Sequence, residues 1–327
     1  MRSVLEIITA SSDYLAARGI ESPRLNADHL IGHALGLPRM QLYLQFERPL
    51  MERELEAIRG LLRRRAAREP LHYILGETEF FGLTLKVDSR ALIPRPETEY
   101  LVSLLTERLG SGEVPVPSAL THWSPPALPP GSSPSRILDL GTGSGAIALA
   151  LAKHWEDAEV VALDASADAL SLARENAERN GLSDRVTFLE SDWFSALASD
   201  AEARASAPFD LIVSNPPYLS AAEVAESLAE VKQHEPARAL SPGQSGMEAI
   251  RKIVAEASRY LRRSDVNGLT ESASERGVAV GRGGLLALET GIAQHAELAE
   301  LFREAGFAHY EFLADLAHRP RYALAWL

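Results

Sequence analysis

The chain has 327 residues, 46% hydrophobic and 24% charged, proportions of an ordinary globular protein with room for two domains. It has no cysteine, which excludes disulfides, thiolate metal sites and a cysteine nucleophile. The net charge of −12 falls on residues beyond position 100, because residues 1–100 balance; so acidic a chain gains little from counterion release and is expected to bind bulk nucleic acid poorly.

The opening Met1-Arg2-Ser3-Val4-Leu5-Glu6 has neither the apolar core nor the small-residue cleavage site of an export signal. No stretch approaches the roughly 20 apolar residues that span a bilayer, so a cytoplasmic protein without membrane contact is expected. Val4, Leu5, Ile7, Ile8 and Leu15 recur at helical spacing, with Gly19 as a stop. Ser22-Pro23 reads as an N-cap and first helical residue, leading into Ala27, Leu30, Ile31, Ala34 and Leu35. A third helix is expected from about Glu52 to Arg68, ended by Pro70. Residues 1–75 therefore read as a small helical bundle, since none of these helices is stable alone.

Residues 76–110 read as a hairpin and a connecting helix. Glu79 to Val87 alternates like a strand, and Pro94-Arg95-Pro96-Glu97-Thr98-Glu99 opens the helix. Residues 111–135, with seven prolines, read as an extended linker or insertion. From 136 to 327 strands alternate with helices: strands at Arg136–Leu140, Val160–Asp164, Val186–Leu189, Phe209–Ser214 and Leu285–Glu289, helices at Ala146–Trp155 and Ala167–Asn180. Such alternation predicts an open, mostly parallel sheet covered on both faces. The polar, glycine-rich residues 263–284 read as a long surface loop.

Chemistry concentrates at the ends of these strands. Asp139-Leu140-Gly141-Thr142-Gly143-Ser144-Gly145 joins a strand to a helix, where glycines allow a tight turn and close approach of a nucleotide-like cofactor. The same loop also suits a dinucleotide enzyme, or a plain turn. Asp164 ends the second strand, where a carboxylate can accept both ribose hydroxyl protons or cap the next helix. Asp192-Trp193 follows the third strand and can flank an adenine; a buried tryptophan beside a cap reads equally well.

The sharpest motif is Asn215-Pro216-Pro217-Tyr218, directly after the fourth strand. Two prolines suit a stiff loop and not a central strand. They fix the Asn215 side-chain oxygen and the Pro216 carbonyl at the sheet edge, where the two can accept both protons of a planar NH2 group. Tyr218 can cover that group's flat face. Other candidates are weaker. His29 and His33 lie four apart on a helix without the intervening glutamate of a metalloprotease, so a plain helix face is favoured and no metal is expected. The five arginines between Arg59 and Arg68 read as a solvated face before a docking surface. Glu289 ends a strand near the site, with a structural role equally open.

Together these motifs resemble the HemK/PrmC-type protein-(glutamine-N5) methyltransferases. The resemblance rests on the loop Asp139 to Gly145, Ser191-Asp192-Trp193-Phe194, Asn215 to Tyr218, and Ile93-Pro94-Arg95-Pro96-Glu97-Thr98-Glu99. The tracts Tyr73-Ile74-Leu75-Gly76 and Glu79-Phe80-Phe81-Gly82 match as well. It implies an α/β class I S-adenosylmethionine-dependent methyltransferase, Rossmann-like, with a seven-stranded sheet containing one antiparallel strand, behind a small N-terminal helical bundle. It implies cofactor contacts at Gly141, Thr142, Gly143, Ser144, Gly145, Asp164, Trp193 and Asn215. Substrate contacts follow at Asn215, Pro216, Pro217 and Tyr218, with Asn215 and Pro216 carrying catalysis. The implied acceptor is the Gly-Gly-Gln glutamine of class 1 peptide chain release factors. The segments 111–135 and 263–284 are longer than the family leads one to expect.

An adenine-N6 methyltransferase is the main alternative, because adenine's exocyclic amine presents the same planar NH2. The acidic charge and the lack of a basic target-recognition region weigh against it. An inactive cofactor-binding scaffold is the alternative from another class, and the intact Asn215 motif weighs against that. A monomer is expected.

Overall fold

The computed structural model describes residues 2–109, 133–199, 208–263 and 283–327. The expectations for 111–135 and 263–284 thus fall almost wholly outside the described residues. The chain divides into two compact units. One comprises Met1–Thr78, Val87–Ser89 and Ser227–Glu235; the other comprises Glu79–Lys86, Arg90–Glu226 and Pro236–Leu327. The bundle therefore closes at Thr78 and includes a segment from far down the chain, while most of the hairpin and the connecting helix count with the second unit.

In the first unit, α1 (Val4–Ala16) starts at a reciprocal cap: the Ser3 hydroxyl accepts from the Glu6 amide and the Glu6 carboxylate accepts from the Ser3 amide. Its buried positions are Val4, Ile7, Ile8, Ser11 and Leu15, one stripe at helical spacing. Helix α2 (Pro23–Leu35) begins at proline as expected, but the Ser22 side chain makes no cap. Ser22 takes a left-handed backbone (φ 48°), and the Asn26 amide instead donates to the Glu21 and Ser22 carbonyls. Helix α3 (Arg39–Leu44) and, later, α5 (Leu71–Leu75) are too short to leave a periodic signature in the sequence. Between them, α4 (Glu52–Ala66) stops short of Arg68, which turns left-handed at φ 70°.

The arginines of α4 are engaged. Arg59 and Arg63 pair with Glu52 and Glu56, and Arg64 pairs with Glu69. Buried Arg65 donates to Asn26 and, at 3.0 Å, to Glu230 of the late segment, which Arg68 also reaches at 3.3 Å. These pairs tie the distant segment into the bundle.

Next in the chain come β1 (Glu77–Phe80) and β2 (Leu83–Lys86), a two-stranded sheet. The single strand read through 79–87 is interrupted, because Phe81 and Gly82 both take positive φ (48° and 69°), the pattern of a tight type I′ turn. After α6 (Pro96–Leu109) the alternation runs β3 (Arg136–Leu140), α7 (Ala146–His154), β4 (Glu159–Asp164), α8 (Ala167–Arg179), β5 (Val186–Glu190), α9 (Ser195–Ser199) and β6 (Leu211–Ser214). Three short helices follow: α10 (Ala221–Glu226), α11 (Ala229–His234), which lies in the first unit's segment, and α12 (Ala237–Leu240). Then come α13 (Glu248–Ala257), β7 (Leu285–Glu289), α14 (His295–Glu304), β8 (His309–Ala314) and β9 (Pro320–Trp326).

Seven strands form one sheet in the order β5-β4-β3-β6-β7-β9-β8. β9 runs antiparallel to both neighbours, and the other observed pairings are parallel. This is the sheet that the resemblance implied. The central strands are apolar on both faces, as a sheet covered on two sides requires. Ile137, Val160, Ala162, Leu211, Val213, Leu285 and Ala287 join a core with α6 and α7. The alternate residues Leu138, Leu140, Val161, Leu163, Ile212, Leu286 and Leu288 join a core with α13 and α14.

One polar group breaks the apolar run of β3. Asp139 is fully buried, with Oδ2 accepting from the Thr142 hydroxyl and the Ala148 amide and Oδ1 without a partner. Burial pushes its carboxyl from 3.8 up to about 7. The folded state thus binds this proton more tightly than the unfolded chain, and the stability it contributes is lost as pH rises from 3.8 through about 7. Asp139→Asn cannot ionise. Its urea midpoint relative to the parent protein is expected to climb across that window and level off above it; a flat difference would show an ionised carboxylate throughout.

Candidate functional site

Strand register builds the site. Leu140 lies beside Leu163 on β4 and Ser214 on β6, and Ser214 lies beside Leu288 on β7. The next residues of the four strands, Gly141, Asp164, Asn215 and Glu289, therefore emerge in a row at the carboxyl edge. The chain builds outward from β3 through β4 to β5, then returns to place β6 and β7 on its other side. Such a reversal opens a crevice between β3 and β6, because the two loops leave the edge in opposite directions.

A cavity occupies that crevice, walled by Gly141–Ser144, Leu163–Ser166, Ser191–Trp193, Asn215 and Pro217, with Arg90–Arg95 and Thr98 from the stretch before and into α6. Asp164 is half-prepared for a ligand. Its Oδ2 accepts from the Gly143 amide at 2.9 Å and its Oδ1 from the Ser166 amide at 2.9 Å. A carboxylate has about four acceptor positions, so about two remain, the number that a pair of vicinal hydroxyls needs. Trp193 sits at φ 53°, a left-handed conformation uncommon for a bulky residue, and its ring lies 3.9 Å from where a side chain on Gly141 would start. The indole is thus held beside the glycine loop and Asp164, as a flat wall.

Gly145 does not line the cavity. It packs under α8, where a β-carbon would come within 3.2 Å of Ala173 and Leu149 at φ 84°. Pro216 is buried, and neither it nor Tyr218 is among the walls.

Asn215 and Tyr218 are wired together. The Asn215 Nδ2 donates to the Thr98 hydroxyl at 2.8 Å, and that hydroxyl donates to Glu289 Oε2 at 2.7 Å. The Tyr218 hydroxyl donates to Glu289 Oε1 at 3.0 Å and receives Arg321 Nη1 at 3.3 Å. Burial, with the Glu289 carboxylate beside it, pushes the Tyr218 phenol up, so it stays a donor. Burial likewise raises Glu289, against the pull of its two hydroxyl donors and Arg321. The loop beyond is pinned too: the Gln294 amide donates to the Tyr218 carbonyl at 2.9 Å, and that carbonyl lies 2.4 Å from where a β-carbon on Gly246 would sit, so only glycine fits.

Five contributors were not assigned from sequence. Thr98 stood inside a noted motif without a role. Glu289 was left open, although its parity on β7 puts it on the same sheet face as α6, where Thr98 waits. Pro236, Arg238 and Ala239 complete the cavity wall, with Arg238 donating to Ser166; the proline was their only local signal. His29 and His33 lie on the exposed side of α2, and no group of three metal-capable residues occurs among the described residues.

Comparison with known proteins agrees with this architecture. Residues 6–76 match the PrmC N-terminal domain and residues 132–305 match a methyltransferase domain. A release factor glutamine methyltransferase of Chlorobaculum tepidum is 44% identical over 81% of this chain and 83% of its own length. Proteins of the same name from Geobacter sulfurreducens (38% identical, 93% of this chain, 90% of theirs) and Deinococcus radiodurans (37%, 98% and 97%) match along nearly the whole length. A bundle of the first kind, an α/β unit of the second and relatives this similar over both leave one assignment: the chain belongs to the release factor glutamine methyltransferase family.

Proposed function

We infer that this chain transfers a methyl group from S-adenosyl-L-methionine to the side-chain amide nitrogen of the glutamine in the Gly-Gly-Gln motif of class 1 peptide chain release factors. The observation that carries the reading is the tethered amide of Asn215 at the wall of a cavity whose other side holds Asp164, Trp193 and the glycine loop. The cofactor, when bound, supplies a methyl on a sulfonium, already activated for in-line displacement.

The chain's residues fit that ligand. Asp164 has acceptor positions left for the ribose hydroxyls, Trp193 offers a flat wall for the adenine, and Gly141–Ser144 let the backbone come close. Toward the acceptor, Asn215 Oδ1 and the Pro216 carbonyl are the oxygens to receive the two amide protons. They hold the nitrogen in line and favour the positive charge that develops on it. An amide nitrogen is a poor nucleophile because its lone pair is shared with the carbonyl, so catalysis comes from positioning and preorganised dipoles. Pro217 stiffens the corner, and Tyr218, fixed by Glu289, bounds it.

A monomer is part of this reading: the residues assigned to cofactor and acceptor all lie in one compact unit. No helix among the described residues is long and apolar enough to cross a membrane. Cytoplasmic location and the absence of direct nucleic-acid binding belong to the same reading, and the acidic balance supports the second.

Mass spectrometry of a release factor incubated with enzyme and cofactor is expected to show one added methyl on the Gly-Gly-Gln glutamine, with none on nucleic acid offered alongside. Transfer to adenine instead would overturn the substrate assignment. Folded Asn215→Ala is expected to lose at least about tenfold in methyl transfer, the scale of one oriented hydrogen bond; near-normal turnover would remove Asn215 from the mechanism. Asp164→Asn loses a charge-assisted acceptor, and its cofactor Kd, read by calorimetry, is expected to rise by about tenfold or more. An unchanged Kd would place the ribose elsewhere.

A further inference from the structure

We propose that Thr98 and Glu289 are positioning residues that fix which face of the Asn215 amide meets the substrate. The proposal rests on the role just inferred for Asn215 and asks what holds that amide one way round. An asparagine amide is nearly symmetric in shape, so packing alone does not decide whether oxygen or NH2 faces the cavity. An NH2 facing the cavity would oppose the acceptor's own NH2, donor against donor. The orientation must come from neighbours whose own donor and acceptor sense is settled.

With Glu289 as a carboxylate, the form that its two hydroxyl donors and Arg321 favour against burial, proton counting along the chain of contacts fixes the orientation. Arg321 has only donors, and it approaches the Tyr218 hydroxyl at 3.3 Å, so the phenol proton points away from it, to Glu289 Oε1 at 3.0 Å. The remaining oxygen, Oε2, takes the Thr98 proton at 2.7 Å. A threonine hydroxyl has one proton, and with that proton committed it can only accept from Asn215. The group 2.8 Å away is therefore Nδ2, and Oδ1 is left for the substrate. Glu289 and Thr98 lie within 1% and 4% of full burial, so water is scarce to substitute for either partner. Thr98 is 117 residues from Asn215 and 191 from Glu289 in sequence, and the fold supplies the adjacency: Glu289 ends β7 on the face that α6 covers, and Thr98 lies in the first turn of α6. That turn is held in place by the Tyr322 hydroxyl of β9, which donates to the Glu97 carbonyl at 2.8 Å.

Neither residue needs to touch the reacting atoms, and each acts through Asn215. Thr98→Val keeps the shape and removes the hydroxyl; kcat for release-factor methylation is expected to fall about tenfold, the scale of one oriented hydrogen bond. The cofactor Kd is expected to stay within about twofold. Thr98→Ser, which restores the hydroxyl, should recover most of the loss. The deciding measurement is a double-mutant cycle. In an Asn215→Ala background, Thr98→Val should cost almost nothing further, because the group it orients is gone. A full second loss in that background, or a matching rise in cofactor Kd, would mean a merely structural role and overturn the proposal. Should Thr98→Val fail to fold, the near-isosteric Glu289→Gln takes its place in the same cycle, since its amide can accept from only one of the two hydroxyls. Full turnover by Asn215→Ala sinks the reading of Asn215 itself, whereas a crippled Asn215→Ala beside normal Thr98→Val and Glu289→Gln sinks only the relay.

Discussion

The in-register ends of four parallel strands are the constraint on which the rest depends. Because Leu140, Leu163, Ser214 and Leu288 lie side by side, the residues that follow them share one edge. A slip of one residue on any strand would send each side chain to the opposite core and remove its polar residue from that row. The slip is resisted by both cores at once, since each central strand is apolar on both sides. Both faces are buried, so the cost is one of fit: side chains shaped for one core would be forced into the other, at about 1–3 kcal/mol for each overpacked or cavity-leaving position. The hydroxyl of Ser214 adds a local lock, donating to the Leu140 carbonyl at 2.7 Å across the strand pair at which the crevice opens.

Most of this was legible in the residues. Apolar runs bounded by glycine or aspartate marked β3, β4 and β6, and the polar residues at their ends marked the edge. What the sequence hid has common physical causes. Helices α3 and α5 are shorter than two turns, so no periodicity accumulates. Ser22 has the residue type of a cap, but its left-handed backbone carries the hydroxyl out of position; the Asn26 amide ties the turn by donating to the Ser22 carbonyl and caps no helix N–H. Residues 79–87 alternate through a turn that two positive φ angles create, and alternation by itself does not register a reversal of direction. The segment Ser227–Glu235 has no compositional mark separating it from its flanks. Its place in the bundle follows from Glu230 meeting Arg65 and Arg68, a pairing between residues far apart in the chain.

The site shows the same division. Gly141–Ser144, Asp164, Trp193 and Asn215 were picked from local motifs, and all wall the cavity. Thr98 and Glu289 were not picked, because each is unremarkable in its own neighbourhood. A threonine in a first helical turn and a glutamate closing a strand acquire meaning only when β7 and α6 are laid against each other.

Two buried carboxylates on that sheet face are treated differently, and the contrast bears on the chemistry. Asp139 has one oxygen bonded twice and one bare, so burial dominates and its proton is held up to about pH 7. Burial raises Glu289 as well, but a hydroxyl donor on each oxygen and Arg321 nearby oppose it, and the ionised form they favour presents two fixed acceptor directions. On the proposed reading, the acceptor nitrogen meets no strong base, so the rate depends on how well two oxygens are aimed. An error of about 1 Å in such aim can cost about a hundredfold. A single loop, even one stiffened by Pro216 and Pro217, fixes the backbone but leaves the Asn215 amide free to turn over. Precision therefore has to be imported from β7, α6 and β9, and a carboxylate that receives two protons gives that network its direction.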